Sequence, residues 1–356
     1  MRSLINMAIR ALVRLLVTSL LISVTTSTRG AALDYGAPAD AYYDLDDDGT
    51  GAYILPVSKL LGHVTGLGID SRNRLVAFHR AGRIWDKKSF DDANLFNVSL
   101  GAIKNHTIYV IDPKSGKVLE EHGKDMFFMP HGLTVDHEDN VWVTDVALHQ
   151  VLKLDHNFNV RMILGERFKP GDDMKHFCKP TDIAVAKNGH FFVADGYCNS
   201  RVMKFDQNGK LIATFGSPNS ELIPEDGEFW IPHSLALIED LNLICIADRE
   251  NERIQCFSAG LAEGGRAIPP GIFITKAENI GRVYAIREKR HYLVGVTGSD
   301  GDGIEPQVFV MDMNTGKANT FVKGIENAHA LEVSDDGTVY IAQTGPNQIV
   351  QLSLHD

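Results

Sequence analysis

Cysteine is scarce in this sequence, with four in 356 residues. No two of them stand close enough along the chain to form the ligand pairs of a cysteine-based zinc site, which excludes that class. Positive charge is also short: 35 Lys and Arg face 46 Asp and Glu, a net charge of −11. That balance argues against a nucleic-acid partner. The acidic residues are spread along the chain, so they read as solubility. Long apolar runs are missing as well. The one that stands out, residues 15–24, is about half the length a helix needs to cross a bilayer. It follows Arg2, Arg10 and Arg14 and precedes a small polar stretch, so residues 1–30 read as a secretory signal, with a signal anchor as the alternative. Asp44-Leu45-Asp46-Asp47-Asp48-Gly49 imitates the start of an EF-hand loop, but its twelfth position, Leu55, lacks the carboxylate such a loop needs. Residues 31–52 are expected to be a flexible acidic lead-in. There is little room for a second domain beyond residues 53–356.

What the chain has in abundance is a repeat. Met129-Pro130-His131-Gly132-Leu133-Thr134-Val135 returns as Ile231-Pro232-His233-Ser234-Leu235-Ala236-Leu237 and as Asn327-Ala328-His329-Ala330-Leu331-Glu332-Val333. Versions without histidine read Val64-Thr65-Gly66-Leu67-Gly68-Ile69 and Lys179-Pro180-Thr181-Asp182-Ile183-Ala184-Val185. The steps are about fifty residues, the range of propeller repeats. The double gap before His329 calls for a degenerate copy midway, and Gly281-Arg282-Val283-Tyr284-Ala285-Ile286 fills it. Six copies result. Each continues through a polar turn into a β-branched and aromatic run, such as Val141-Trp142-Val143-Thr144-Asp145, and then a third run. Short strands punctuated by turns predict an all-β chain, and three or four strands per unit predict a six-bladed β-propeller rather than a stacked solenoid. Residues 84–105 lengthen the first step and are expected to be an inserted loop. Tyr53-Ile54-Leu55-Pro56-Val57 is expected to supply a strand that closes the ring beside the last blade.

Four cysteines allow three pairings. Cys245 and Cys256 fall on consecutive strands of one blade. Cys178 precedes a blade and Cys198 lies in that blade's next loop. The expected bridges are Cys178–Cys198 and Cys245–Cys256, in an oxidising compartment. Asn97-Val98-Ser99 and Asn105-His106-Thr107 are N-glycosylation sequons.

In a propeller the first strand of each blade lines the central channel. The residues that begin those strands converge at one end: Thr65, His131, Thr181, His233, Tyr284 and His329. The histidines occupy alternate blades, about 120° apart in a sixfold ring. Three imidazoles meeting on the axis are a zinc ligand set that leaves a position open. The loop after each second strand returns to the same end. It carries Arg80 in the first blade, Tyr197 in the third and Arg249 in the fourth. Arginine suits a carboxylate ligand, and the Cys178–Cys198 bridge would steady the loop of Tyr197. A calcium-dependent hydrolase would call for axial carboxylates in place of these histidines. A non-catalytic secreted propeller that binds a peptide or protein is the other alternative.

Pro130-His131-Gly132-Leu133, Trp142-Val143-Thr144-Asp145-Val146-Ala147-Leu148-His149-Gln150-Val151, His176-Phe177-Cys178, Asp195-Gly196-Tyr197-Cys198-Asn199-Ser200-Arg201, Pro232-His233-Ser234-Leu235-Ala236-Leu237 and Ala247-Asp248-Arg249-Glu250-Asn251 together resemble the peptidyl-α-hydroxyglycine α-amidating lyase family. That resemblance, running from about residue 55 to the end, implies a secreted NHL-type six-bladed propeller that releases glyoxylate and leaves a C-terminally amidated peptide. It implies zinc on His131, His233 and His329, and catalytic roles for Tyr197, Arg80 and Arg249. It also implies calcium on the backbone carbonyls of Leu67 and Leu133, with a carboxylate just after the third histidine. This chain has Ala330 there, and Asn327-Ala328 where the family has Met-Pro. The partner expected is a peptidyl-α-hydroxyglycine, with no membrane contact in the mature form. The chain is expected to act as a monomer, with the preceding oxidation done elsewhere.

Overall fold

The computed structural model describes residues 51–262, 268–299 and 305–354. The secretory signal, the acidic stretch 44–49 and nearly all of the lead-in lie outside the described residues. Six four-stranded antiparallel sheets form the fold. Blade 1 comprises Val64–Ile69, Leu75–His79, Ile108–Ile111 and Val118–His122, and blade 2 Pro130–Val135, Val141–Asp145, Gln150–Leu154 and Val160–Leu164. Blade 3 comprises Pro180–Val185, Phe191–Asp195, Arg201–Phe205 and Leu211–Phe215, and blade 4 Pro232–Ile238, Leu243–Asp248, Arg253–Ser258 and Phe273–Ala277. Blade 5 comprises Arg282–Lys289, Tyr292–Gly298, Gln307–Asp312 and Lys317–Lys323. Blade 6 takes Ala328–Val333, Thr338–Gln343 and Ile349–Ser353 from the end of the chain, and its fourth strand, Tyr53–Ile54, from the beginning. The expected closing strand is therefore present. It pairs with the last strand, so it fixes the ring at its seam and covers part of that strand's outer edge.

The first strand of every blade touches the first strand of the next, from blade 1 through blade 6 and back to blade 1. These strands are the innermost ones; five are mostly buried, and that of blade 5 is half-buried along most of its length. The apolar core is divided into wedges, one between each pair of adjacent blades. Val76, Phe78, Leu133 and Val143 join blades 1 and 2, and Trp142, Ile183, Phe191 and Val193 join blades 2 and 3. Leu67, Leu75, Tyr340 and Ala342 close the ring from blade 6 to blade 1, and Ile341 lies in the wedge between blades 5 and 6. The β-branched and aromatic runs of the sequence are what these wedges are made of, because twisted sheets packed face to face need bulky side chains on both faces.

Each blade needs its loops held as well as its sheets. A buried aspartate at the end of the second strand does this in blades 2, 3 and 4. Asp145 accepts the backbone N–H groups of Phe128, Met129, Ala147 and Leu148. Asp195 accepts Cys178 N–H, the Asn199 amide and Arg201 Nε. Asp248 accepts Trp230 N–H, the Asn251 amide and Arg253 Nε at 2.8 Å. Asp248 and Arg253 are both sealed from solvent, so removing one partner strands the other's charge. Asp248→Ala is expected to cost about 3–5 kcal/mol, read as a fall in the denaturant midpoint with an unchanged slope.

Candidate active site

The innermost strands do not run as unbroken ladders. Register against the second strand breaks between Val64 and Gly66, Pro130 and Leu133, Pro180 and Asp182, Pro232 and Ser234, Val283 and Ala285, and Ala328 and Ala330. The residues skipped are Thr65, His131 with Gly132, Thr181, His233, Tyr284 and His329, the ring positions of the sequence repeat. A bulged residue leaves the ladder, which re-aims its side chain and frees its carbonyl. Both effects are used. Each histidine donates from Nδ1 to the freed carbonyl of the next blade: His131 to Thr181 at 2.8 Å, His233 to Tyr284 at 2.6 Å and His329 to Thr65 at 3.0 Å. Three histidines and three carbonyls thus interlock around the hub. Gly132 has no room for a side chain here, because a Cβ would lie 2.4 Å from the Thr181 carbonyl oxygen.

With Nδ1 protonated and engaged, Nε2 of each ring carries the free lone pair. The three ring centroids form a nearly equilateral triangle with edges of 4.7, 4.9 and 4.9 Å. One nitrogen from each ring lies within 4.8 Å of the others. Burial holds all three imidazoles neutral. It pushes the pKa of His131 and of His233 well below the ordinary histidine value, and that of His329 down to about 3, with nearby arginines adding to the effect. Neutral imidazoles fixed by a carbonyl on the far nitrogen are the form in which histidine binds a transition metal. The donor set fits one, with three nitrogens converging from three sides.

Tyr197 stands over this hub. Its hydroxyl lies 3.0 Å from His131 Nε2 and 3.2 Å from His233 Nε2. Arg249 Nη1 reaches the same oxygen at 3.4 Å, and its guanidinium lies over the rings of Tyr197 and Tyr284. Burial raises the Tyr197 pKa, and the charges of Arg249 and Arg80 oppose that rise. The Cys178–Cys198 bridge forms beside Tyr197, and Cys245–Cys256 joins directly paired residues of blade 4. No cysteine is left free.

The two arginines differ in how they are held. Arg249 is tied through Nε to Glu250 at 2.8 Å, and Glu250 also pairs with Arg282. Arg80 is almost wholly buried and donates Nε to the Pro130 carbonyl at 2.9 Å. Among the described residues no carboxylate comes within ion-pair reach of it, and burial brings its pKa down to about 10.

Sequence reasoning missed Trp85. The inserted segment folds back over the site, where Trp85 packs on Tyr197 at 4.8 Å between centroids and lies under the Arg80 guanidinium at 5.4 Å. Phe90, Phe96, Phe128 and Phe168 extend that apolar cover. Lys179 was also missed. It donates to the Asn94 side chain and sits over Phe90, and burial lowers its pKa to about 8. An insert has no repeat partner, so its register to the site is not written in the period. The Asn327 departure is local: its φ is +52°, beside +59° for Lys179 and +62° for Ile231 at the same repeat position. Asparagine tolerates that left-handed region better than most residues. Leu67 and Leu133 stand two residues beyond the ring positions on adjoining blades, and the Leu133 carbonyl accepts a hydrogen bond from Arg287 at 3.4 Å.

The NHL repeat model matches residues 177–205 and 229–257, within blades 3 and 4 and the segments that lead into them. A probable peptidyl-alpha-hydroxyglycine alpha-amidating lyase of Caenorhabditis elegans is 51% identical over 323 residues, covering 90% of this chain and 91% of its own. Peptidyl-alpha-hydroxyglycine alpha-amidating lyase 2 of Drosophila melanogaster is 39% identical, covering 80% of this chain and 70% of its own. Peptidyl-glycine alpha-amidating monooxygenase B of Xenopus laevis is 41% identical over 88% of this chain, which spans 36% of that protein's length. Among solved structures, a gluconolactonase from Xanthomonas campestris superimposes with a TM-score of 0.56 at 13% identity, covering 85% of this chain and 89% of its own, a likeness of fold alone.

Proposed function

The chain belongs to the peptidyl-α-hydroxyglycine α-amidating lyase family, and we propose that it cleaves its substrate at the three-histidine hub with zinc bound there. The reaction converts a peptidyl-α-hydroxyglycine to a peptide amide and glyoxylate. The observation that carries the reading is Tyr197, whose hydroxyl stands within hydrogen-bond reach of two hub nitrogens and of Arg249.

The carbon to be cleaved bears a hydroxyl, a carboxylate and the peptide amide nitrogen. Its hydroxyl must lose a proton as the C–O bond becomes C=O, and the departing nitrogen must gain one. His131, His233 and His329 would hold the metal through Nε2. A zinc ion held there supplies Lewis acidity to the substrate hydroxyl and a positive charge that joins the arginines in drawing the phenol's pKa down. Tyr197 takes the hydroxyl proton and hands it to the amide nitrogen as the C–N bond breaks, so the phenol is restored within one turnover. Arg80 receives the substrate carboxylate, since its buried charge has no carboxylate partner among the described residues. Arg249 holds the phenol oxygen and favours its ionised form. Trp85 and its aromatic neighbours cover the site and keep water from the departing groups.

Secretion belongs to the same reading, supported by two formed disulfides, as does glycosylation at the exposed Asn97 and Asn105. The chain would act as a monomer. Glyoxylate release from an α-hydroxyglycine peptide is the direct assay. Stoichiometric glyoxylate and amide, with one zinc per chain, is the expected result. A zinc-free chain that binds the peptide and releases nothing would return the fold to a binding role.

A further inference from the structure

The calcium that the family resemblance implied does not fit the residues present. The layer beneath the histidines is formed by the residues that follow the ring positions: Gly66, Gly132, Asp182, Ser234, Ala285 and Ala330. Ala330 stands where the carboxylate was expected. The layer's one carboxylate, Asp182, comes from blade 3, opposite blade 6 in the ring. It is already engaged, accepting Ser234 Oγ at 2.9 Å, Leu235 N–H at 3.0 Å and Arg287 Nη1 at 3.1 Å.

Arg287 enters this layer from blade 5. Its guanidinium also donates to the Leu235, Ile286 and Leu133 carbonyls and to Ser234 Oγ, and Nε pairs with Glu332 at 3.6 Å. One side chain therefore bonds to blades 2, 3, 4 and 6 as well as its own. The cavity left around it holds about 10 Å³, room for about one water molecule. Calcium asks for six to eight oxygens. Here the Leu133 carbonyl and the Asp182 carboxylate already face a fixed positive charge.

We infer that Arg287 replaces a structural cation in the channel: this propeller is fastened at its hub by a guanidinium, and calcium is not part of the native molecule. The fork geometry matters as much as the charge. A planar guanidinium reaches carbonyls and carboxylates in several directions at once, as a spherical ion does, whereas an ammonium on the same stem reaches fewer. Repeat position reinforces the point. Three residues after the ring position the chain has Gly68, Thr134, Ala184, Ala236, Arg287 and Glu332, so short side chains in four blades leave space for the charged pair from the other two.

The test uses the whole zinc-loaded chain. Metal analysis after purification should find zinc without calcium, and titrating calcium into a calcium-free sample should leave the Tm unmoved. Arg287→Ala should lower the Tm by about 6–10 °C, the loss expected on breaking a buried ion pair in a chain of this size. Arg287→Lys should recover only part of it. In the double variant Arg287→Ala with Ala330→Asp, calcium should raise the Tm, because a carboxylate and freed carbonyls then face an empty hub. A wild-type chain that retains one calcium, or whose Tm climbs by several degrees with calcium, overturns the inference without need of any variant. An Arg287→Ala protein as stable as the wild type overturns it as well.

Discussion

Tyr197→Phe is expected to lower kcat by about 10²- to 10⁴-fold, the usual contribution of a positioned acid or base, while KM changes little. The substitution removes one oxygen and leaves the ring. That ring keeps its contacts with Trp85, 4.8 Å away, and with the Arg249 guanidinium, 5.4 Å away. The loop stays anchored by Cys178–Cys198 and by Asp195, which takes Cys178 N–H and Arg201 Nε. Arg80, the proposed carboxylate receptor, keeps its bond to the Pro130 carbonyl. What disappears is, among the described residues, the only phenol within hydrogen-bond reach of His131 and His233 Nε2. The variant should retain full metal content and Tm, and its kcat should lose the pH dependence that the phenol confers. Unchanged turnover would remove Tyr197 from the mechanism and leave the hub without a proton carrier.

His131→Ala should take the metal content from one per chain to a small fraction, and kcat/KM should fall at least about 10³-fold, the scale of several kcal/mol of Lewis-acid stabilisation. Two imidazoles cannot close the triangle that three now make. His131 is also a donor to the Thr181 carbonyl, which would keep only Thr144 Oγ1 at 3.2 Å, so a modest loss of stability should accompany the loss of the ligand. Mass-spectrometric metal analysis and the Tm, taken together, separate metal loss from unfolding. A folded His131→Ala chain with full zinc and full activity would show that the hub is not the reaction centre.

Much of this was legible in the repeat. The six ring positions could be numbered from spacing, including Tyr284 in a copy that retains little of the motif. Both disulfides, the closing strand and the inserted segment followed from where residues fall in the period. The residues that escaped are those whose role is set by neighbours from another blade. Trp85 lies in a segment without a counterpart in the other copies. Arg287 reads in sequence as one cation in a run of charges, Arg287-Glu288-Lys289-Arg290, and nothing in that run marks the first as the one turned inward.

The sequence by itself determined the architecture, because short apolar strands at a near-constant period have few ways to bury both faces, and a closed ring of blades does so while leaving only short outer edges. It also determined which residue types ring the axis. Only the tertiary structure decided the chemistry they are ready for. Bulges aim the histidines inward, and carbonyls of the next blade select the tautomer. Arg80 has no carboxylate within ion-pair reach among the described residues, whereas Arg287 is paired with Asp182 and Glu332. These outcomes depend on distances between chain segments fifty to a hundred and fifty residues apart, and electrostatic and hydrogen-bond energies are set by such distances rather than by residue order.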